Sequence, residues 1–233
     1  MSHRASMVHE RRPVERRSAT AGPRRSWLWT WLAALAIGAL IPSLAAAEQG
    51  PQAHAAARKV IETLYTSLLD VMQNAEKLGY RGRYDKLEPV LRRSYDFDLM
   101  AKVSLGGDEG YWGKLDDKQK KTMIDAFSRM SISTYANRFD GYSGQKLEVQ
   151  DVVEAPKSTL LVKTRIVRTT KDPVALNYLL RDTGKDWRII DVFAKGTISE
   201  LAKNRSDYTS VMRLQGFEAL IAALNAKVAK NAQ

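Results

Sequence analysis

The 233-residue chain carries 37 basic and 26 acidic residues, a formal net charge of +11, and no Cys, which excludes a disulfide framework, a thiolate nucleophile and Cys-ligated metal. Its three His are His3, His9 and His54, so the body of the chain has no imidazole for a triad, a general base near neutral pH or the commonest metal ligation.

In chain order, Arg24, Arg25, the apolar run Trp27 to Leu40, Pro42 and then Ala45, Ala46 and Ala47 read as an export signal over residues 1–47. The run falls short of the roughly 20 apolar residues of a bilayer span, and the alanines supply the small-residue pattern a signal peptidase reads. Arg24-Arg25-Ser26-Trp27-Leu28 resembles a twin-arginine signal, and ordinary Sec export fits as well. A periplasmic mature chain beginning near Glu48 is expected, with an uncleaved inner-membrane anchor as the alternative. The signal takes seven Arg and two Glu with it, leaving 30 basic and 24 acidic residues, a net of +6. That length suits one domain with its own core.

Residues 48–55, with Gly50 and Pro51, read as a flexible lead, and 56–233 as the single folded domain. Ile61, Leu64, Tyr65, Leu68 and Met72 repeat at helical spacing and predict a first helix ending at Gly79. Leu87, Val90, Leu91 and Tyr95 predict a second, with Pro89 near its start. Phe97 to Leu105 predicts a third, stopped by Gly106-Gly107. Asp116 with Gln119 forms a capping-box signature for a longer helix through Met123, Phe127, Met130 and Tyr135 to about Asp140.

After Gly141 and Gly144 the pattern changes to alternation. Leu147 to Val152, Leu160 to Val167, Val174 to Arg181 and Trp187 to Ala194 predict four strands joined by short turns, hence an antiparallel meander. Helices at Ile198–Leu214 and Phe217–Val228, broken at Gly216, close the chain. The fold class is therefore α+β, with helices packed on one face of a highly twisted four-stranded antiparallel sheet.

Four constellations have chemical potential. Phe97, Met100, Trp112, Phe127, Met130, Tyr135, Tyr178 and Phe193 suit either an adaptable ligand cavity or an ordinary core. Asp108 and Glu109 sit among glycines but match no calcium-loop spacing, and a solvated loop is the better reading. Asp191 reads as a strand-end carboxylate making structural hydrogen bonds, or as the general base of a small pocket with Tyr178. Lys163, Arg165, Arg168 and Arg181 form a basic stripe on the polar side of two strands. This stripe is either a solvated face or a contact for an anionic surface or acidic partner. Nucleic acid is not an expected partner for an exported chain, and no cofactor is expected.

The order of landmarks resembles the MlaC family of periplasmic lipid-transfer proteins. In the helical half these are Tyr95-Asp96-Phe97-Asp98-Leu99-Met100-Ala101, Trp112, Leu115-Asp116-Asp117-Lys118-Gln119, Phe127, Thr134-Tyr135 and Tyr142-Ser143-Gly144-Gln145. Val174 to Leu180, Trp187-Arg188-Ile189-Ile190-Asp191-Val192, Gly196-Thr197-Ile198-Ser199, Asn204-Arg205 and Gly216-Phe217 with Leu220 follow in the family's order. The similarity spans about Ala56 to Val228. Ala194-Lys195-Gly196-Thr197-Ile198-Ser199 and Arg205-Ser206-Asp207-Tyr208 depart from the family's usual runs in the direction of its hopanoid-biosynthesis-associated branch.

The resemblance implies a monomeric, non-catalytic shuttle with lipid tails buried between helices and sheet. The cargo would be a phospholipid or a hopanoid, and the partners an inner-membrane MCE-protein ABC transporter and an outer-membrane acceptor complex. It makes the inward residues Phe97, Met100, Val103, Phe127, Met130, Val162, Ile166, Leu176, Tyr178, Leu180, Ile189 and Phe193 the expected lipid contacts. The alternatives are a small-pocket periplasmic isomerase or hydrolase using Asp191, and an interaction module of a transporter that carries nothing.

Overall fold

The computed structural model of the chain describes residues 50–233. The expected export signal and residues Glu48 and Gln49 lie outside the described residues. Helix α1 spans Pro51–Gln73, so Pro51 to Ala55, expected as lead, are helical. Pro51 suits the first turn because its missing N–H has no acceptor there in any case and its φ is already helical. One face of α1 buries Ala57, Ile61, Leu64, Tyr65, Leu68, Val71 and Met72, the spacing that made it legible.

Asn74 separates α1 from α2, Ala75–Ser94. Gly79 lies inside α2 with φ 57° and ψ −177°, a conformation essentially reserved for glycine. It breaks α2 into two segments across a kink, so the break expected at Gly79 is present, while the first helix itself already ends at Gln73. Pro89, expected near a helix start, sits in the interior of α2. Both Pro89 and Asp85 are exposed, so the carbonyl that loses its partner faces water.

Helix α3, Phe97–Ser104, is capped by Asp96, whose carboxylate accepts from Leu99 N at 3.0 Å. The loop beyond it doubles back so tightly that a Cβ on Gly110 would stand 2.5 Å from the Leu105 carbonyl oxygen. Trp112 is buried in the short 3-10 turn that follows. Helix α4 runs Asp117–Arg138 behind the expected capping box, in which Gln119 N donates to Asp116 at 2.7 Å and Asp116 N donates to Gln119 at 3.1 Å.

The sheet is an antiparallel meander of five strands, β1 Lys146–Ala155, β2 Thr159–Val167, β3 Val174–Asp182, β4 Trp187–Ala194 and β5 Ile198–Ser199, in that spatial order. The fifth, two residues long, was expected as the start of a helix. Ile198 and Ser199 pair with Ala194 and Phe193 before the chain turns into α5, Glu200–Gln215, and α6, Phe217–Asn231. Helix α1 lies across β1, β2 and β4, while α2 and α3 reach β4 and α4 packs against α2, α3 and α6. The helices thus cover one sheet face, in the expected α+β class.

Register settles which side chains meet. Val152, Val162, Tyr178 and Val192 form one row across the sheet, and Leu160, Leu180 and Ile189 lie in the next. A bulge opposite Leu179 and Leu180 shifts β4 by one residue, so Asp191 pairs with Leu179 and Phe193 with Asn177. Directly paired residues share a face. Ile189 and Val192 therefore point to the helices, while Asp191 and Phe193 belong to the opposite face. Simple alternation had set Ile189 and Phe193 together, and the extra residue is what divides them.

Candidate functional site

The interior between α1 and the sheet is apolar but carries a row of phenols. Tyr65 comes from α1, Tyr95 from the end of α2, Tyr135 from α4 and Tyr178 from β3. Each occupies a core position of its element, where its ring buries area like Phe while its hydroxyl still requires a partner. Tyr95 is held in place by a parallel bridge to Ile189 and by Asp96 N donating to Ile189 O at 2.9 Å. The Tyr65 and Tyr178 rings meet edge to face at 6.0 Å, and those of Tyr95 and Tyr135 at 5.9 Å.

Their hydroxyls are not equally served. Tyr65 is hydrogen-bonded to Thr164 Oγ1, which in turn donates to the Leu176 carbonyl. Tyr95 and Tyr135 bond to each other. The Tyr178 hydroxyl is fully buried and lies within hydrogen-bonding reach of the Tyr65 and Tyr135 hydroxyls, though off the ideal geometry of a direct bond. Burial pushes the Tyr65 phenol up to about 12. It raises Tyr95 and Tyr178 well above the ordinary value and Tyr135 as well. All four are neutral donors across physiological pH.

Two grooves border this interior. One, about 300 Å³, opens between α1 and β1 and is lined by Arg58, Glu62, Tyr65, Thr66, Leu69, Leu147 and Val149; its floor is the first phenol of the row. Arg58 spans its rim through long bonds to the Val149 and Gln150 carbonyls, 3.4 and 3.5 Å. The other, about 590 Å³, lies where α1, the end of α2 and the β3–β4 turn converge. Lys59, Arg93 and Lys185 face Asp182 and Asp186 there, over Val60 and Trp187.

The residues expected to touch cargo divide into three groups. Val162, Tyr178, Leu180 and Ile189 are wholly buried on the inner sheet face, with Ile166 and Leu176 half-buried at one end. Phe97, Met100, Phe127 and Met130 are buried on the helical side, where Phe127 makes edge contacts with Phe97 and with Tyr208 of α5 at 6.2 and 6.3 Å; Val103 is half-buried beside them. Phe193 stands apart on the far sheet face. Tyr65, Tyr95, Thr164, Leu147 and Val149 were missed as site residues. For the two tyrosines the signal was an aromatic with a polar tip at a core position, a pattern repeated at Tyr135 and Tyr178.

Asp191 carries a structural load. It accepts from Val192 N at 2.7 Å, Ser199 Oγ at 2.6 Å and Leu201 N at 3.0 Å, and Ser199 Oγ accepts from Ala202 N at 2.8 Å. The carboxylate ties β4 to the positive end of α5 and lies on the opposite sheet face from Tyr178, so the two do not form a pocket. The basic stripe is paired. Arg165 meets Glu148 at 2.7 Å, Lys163 meets Asp151 at 4.0 Å, Arg181 meets Asp96 at 2.6 Å, and Arg168 donates to the Asp172 carbonyl at 2.6 Å. Asp108 pairs with Lys102 at 2.6 Å. Among the described residues no acidic or imidazole cluster could hold a metal ion, and no helix is long and apolar enough to cross a membrane.

The profile described as MlaC protein matches residues 62–226. Among solved structures, a phospholipid-binding protein from Ralstonia solanacearum, determined in complex with a phospholipid, superposes with a TM-score of 0.65 at 18% identity. The alignment covers 76% of this chain and 99% of that one. No curated protein sequence matches.

Proposed function

The chain belongs to the MlaC family, and from that premise we propose that it is a non-catalytic lipid-binding carrier of the periplasm. The family match carries the reading. The groove between α1 and β1, which leads from solvent to Tyr65 and the apolar sheet face, supplies a route for acyl or polycyclic tails. The Ralstonia protein with its bound phospholipid supports a phospholipid as cargo, and the departures after Phe193 and at Arg205 to Tyr208 favour a hopanoid. An inner-membrane MCE-protein ABC transporter and an outer-membrane acceptor complex are the proposed partners of a monomeric shuttle.

Such a carrier needs no catalyst. Burying one CH₂ is worth about 0.8 kcal/mol, so a sixteen-carbon tail costs on the order of 13 kcal/mol in water. A protein interior replaces one apolar surrounding with another, leaving net transfer near balance. Direction then follows from the relative affinities of donor and acceptor. Val162, Tyr178, Leu180 and Ile189 are wholly buried on the inner sheet face. Loading would separate α1 from β1, a seam spanned by the long Arg58 bonds to the Val149 and Gln150 carbonyls, and cargo would take over the contacts of the sheet face.

The closed core also suits an interaction module that carries nothing, and one experiment separates the two. Protein purified from cells expressing the full-length sequence is extracted with organic solvent and the extract is analysed by mass spectrometry. A stoichiometric phospholipid or hopanoid is expected. Recovery of none, even after incubation with both, would remove the carrier reading.

A further inference from the structure

The larger groove, where α1, the end of α2 and the β3–β4 turn converge, has a charged rim whose two signs are unequally engaged. Its carboxylates are taken up within their own turn. Asp186 accepts from Arg188 Nε at 3.0 Å and from Thr183 Oγ1 at 2.7 Å, and Asp182 accepts from Gly184 N at 2.7 Å. Lys59 of α1 and Arg93 of α2 line the same groove and make no ion pair or hydrogen bond among the described residues. Ser94, next to Arg93, also lines it. This residue is only 5% exposed, yet its hydroxyl has no hydrogen-bond partner among the described residues. A buried helical hydroxyl ordinarily bonds at least the carbonyl one turn back, as Thr134 does with Met130 O at 2.9 Å. An open hydroxyl donor beside two unpaired cations is the donor set of an oxyanion site. At about 590 Å³, over Val60 and Trp187, the groove has the size and apolar floor of a site for an organic ligand rather than for a bare ion.

We infer that this groove binds a phosphate group borne on an apolar body, with Lys59, Arg93 and the Ser94 hydroxyl on the phosphate oxygens and the adjoining carbon skeleton over Val60 and Trp187. The inference rests on the carrier reading for the source of the phosphate, which is then the headgroup of a bound phospholipid. A free phosphate would meet the same donors and is the other source. Arg93 offers a planar fork and Lys59 a point charge, and both act from the solvent side, where salt weakens them. Lys59, Val60 and Thr63 face this groove, while Arg58, Glu62 and Thr66 face the one at β1. The two openings therefore flank the same helix, and a lipid whose headgroup sits in the first has its tails directed beneath α1.

The test uses lipid-stripped wild type, Ser94→Ala and the double variant Lys59→Gln with Arg93→Gln. Each is offered dioleoylphosphatidylglycerol, dioleoylglycerol and a hopanoid at equal concentration in detergent micelles, and separately inorganic phosphate. Retained lipid is quantified by mass spectrometry of extracts and phosphate by titration calorimetry. Wild type is expected to retain the phospholipid about tenfold over the diacylglycerol, and the double variant to lose that preference. Ser94→Ala should lose about three- to fivefold of it with an unchanged lipid-free thermal midpoint, because no bond is broken. That result assigns the phosphate to a lipid headgroup. Phosphate that binds wild type but not the double variant, without any preference between the two glycerolipids, would assign the site to the free anion. A preference that persists in both variants would overturn the inference. So would a wild type that retains hopanoid alone, or both glycerolipids equally, and binds no phosphate, although the carrier reading would then stand. Retention of none of the three lipids would instead sink the carrier reading, and the phosphate titration alone would decide the site.

Discussion

At the scale of single residues, the interior joins apolar packing to titratable phenols, and this combination has a consequence in alkali. An exposed Tyr ionises near pH 10, whereas Tyr65 is held neutral to about 12 by burial, and Tyr95, Tyr135 and Tyr178 are shifted the same way. Above pH 10 the unfolded chain has lost these protons and the folded chain has kept them. Their contribution to stability is therefore complete below about pH 10 and declines as pH rises toward the folded-state values. Each phenol adds a slope approaching about 1.4 kcal/mol per pH unit in that window. Urea unfolding at pH 9, 10 and 11 should show a steep drop above 10, shallower in Tyr178→Phe; a flat profile would contradict the burial of the row. Asp191 shows the limit of reading chemistry from residue type. Its type fitted either a strand-end carboxylate making structural hydrogen bonds or a general base, and its three hydrogen bonds to Val192, Ser199 and Leu201 assign it to the first, holding α5.

Among the elements, the helices were legible where a local rule acts alone. The Asp116–Gln119 box, the Gly106-Gly107 stop and the Gly216 break all lie where spacing and backbone freedom put them. The errors came where a local signal had two outcomes. The first helix ends at Gln73, ahead of the expected break at Gly79, and Pro89 can start a helix or stand on its wet face. The turned helix makes a sharp prediction. A Cβ at Gly79 would meet nothing within 4 Å, so Gly79→Ala tests backbone conformation alone. It should cost about 1–3 kcal/mol, measured as the shift in urea midpoint at constant m-value. A neutral result would mean that the break is not imposed at this residue.

For the molecule as a whole, the seam between α1 and β1 is where the proposed carrier must open. Val149 lies on the inner face of β1 at the groove and is only half-buried, so a larger side chain there can fill the mouth without displacing the core. Val149→Trp should abolish lipid retention at a stability cost of no more than about 1 kcal/mol, read by mass spectrometry of extracts alongside thermal unfolding. Full retention of lipid would place the entrance elsewhere. Local rules acting along the chain were enough for the α+β class, the capped helices, the antiparallel meander and most of the inward residues, since period and turn chemistry involve near neighbours. The removal of Phe193 from the inner face, the fifth strand and the meeting of four tyrosine hydroxyls in the interior came only with the folded chain. A bulge changes parity through the partner strand, and a hydroxyl is satisfied or not by groups as far apart in sequence as Tyr65 and Tyr178.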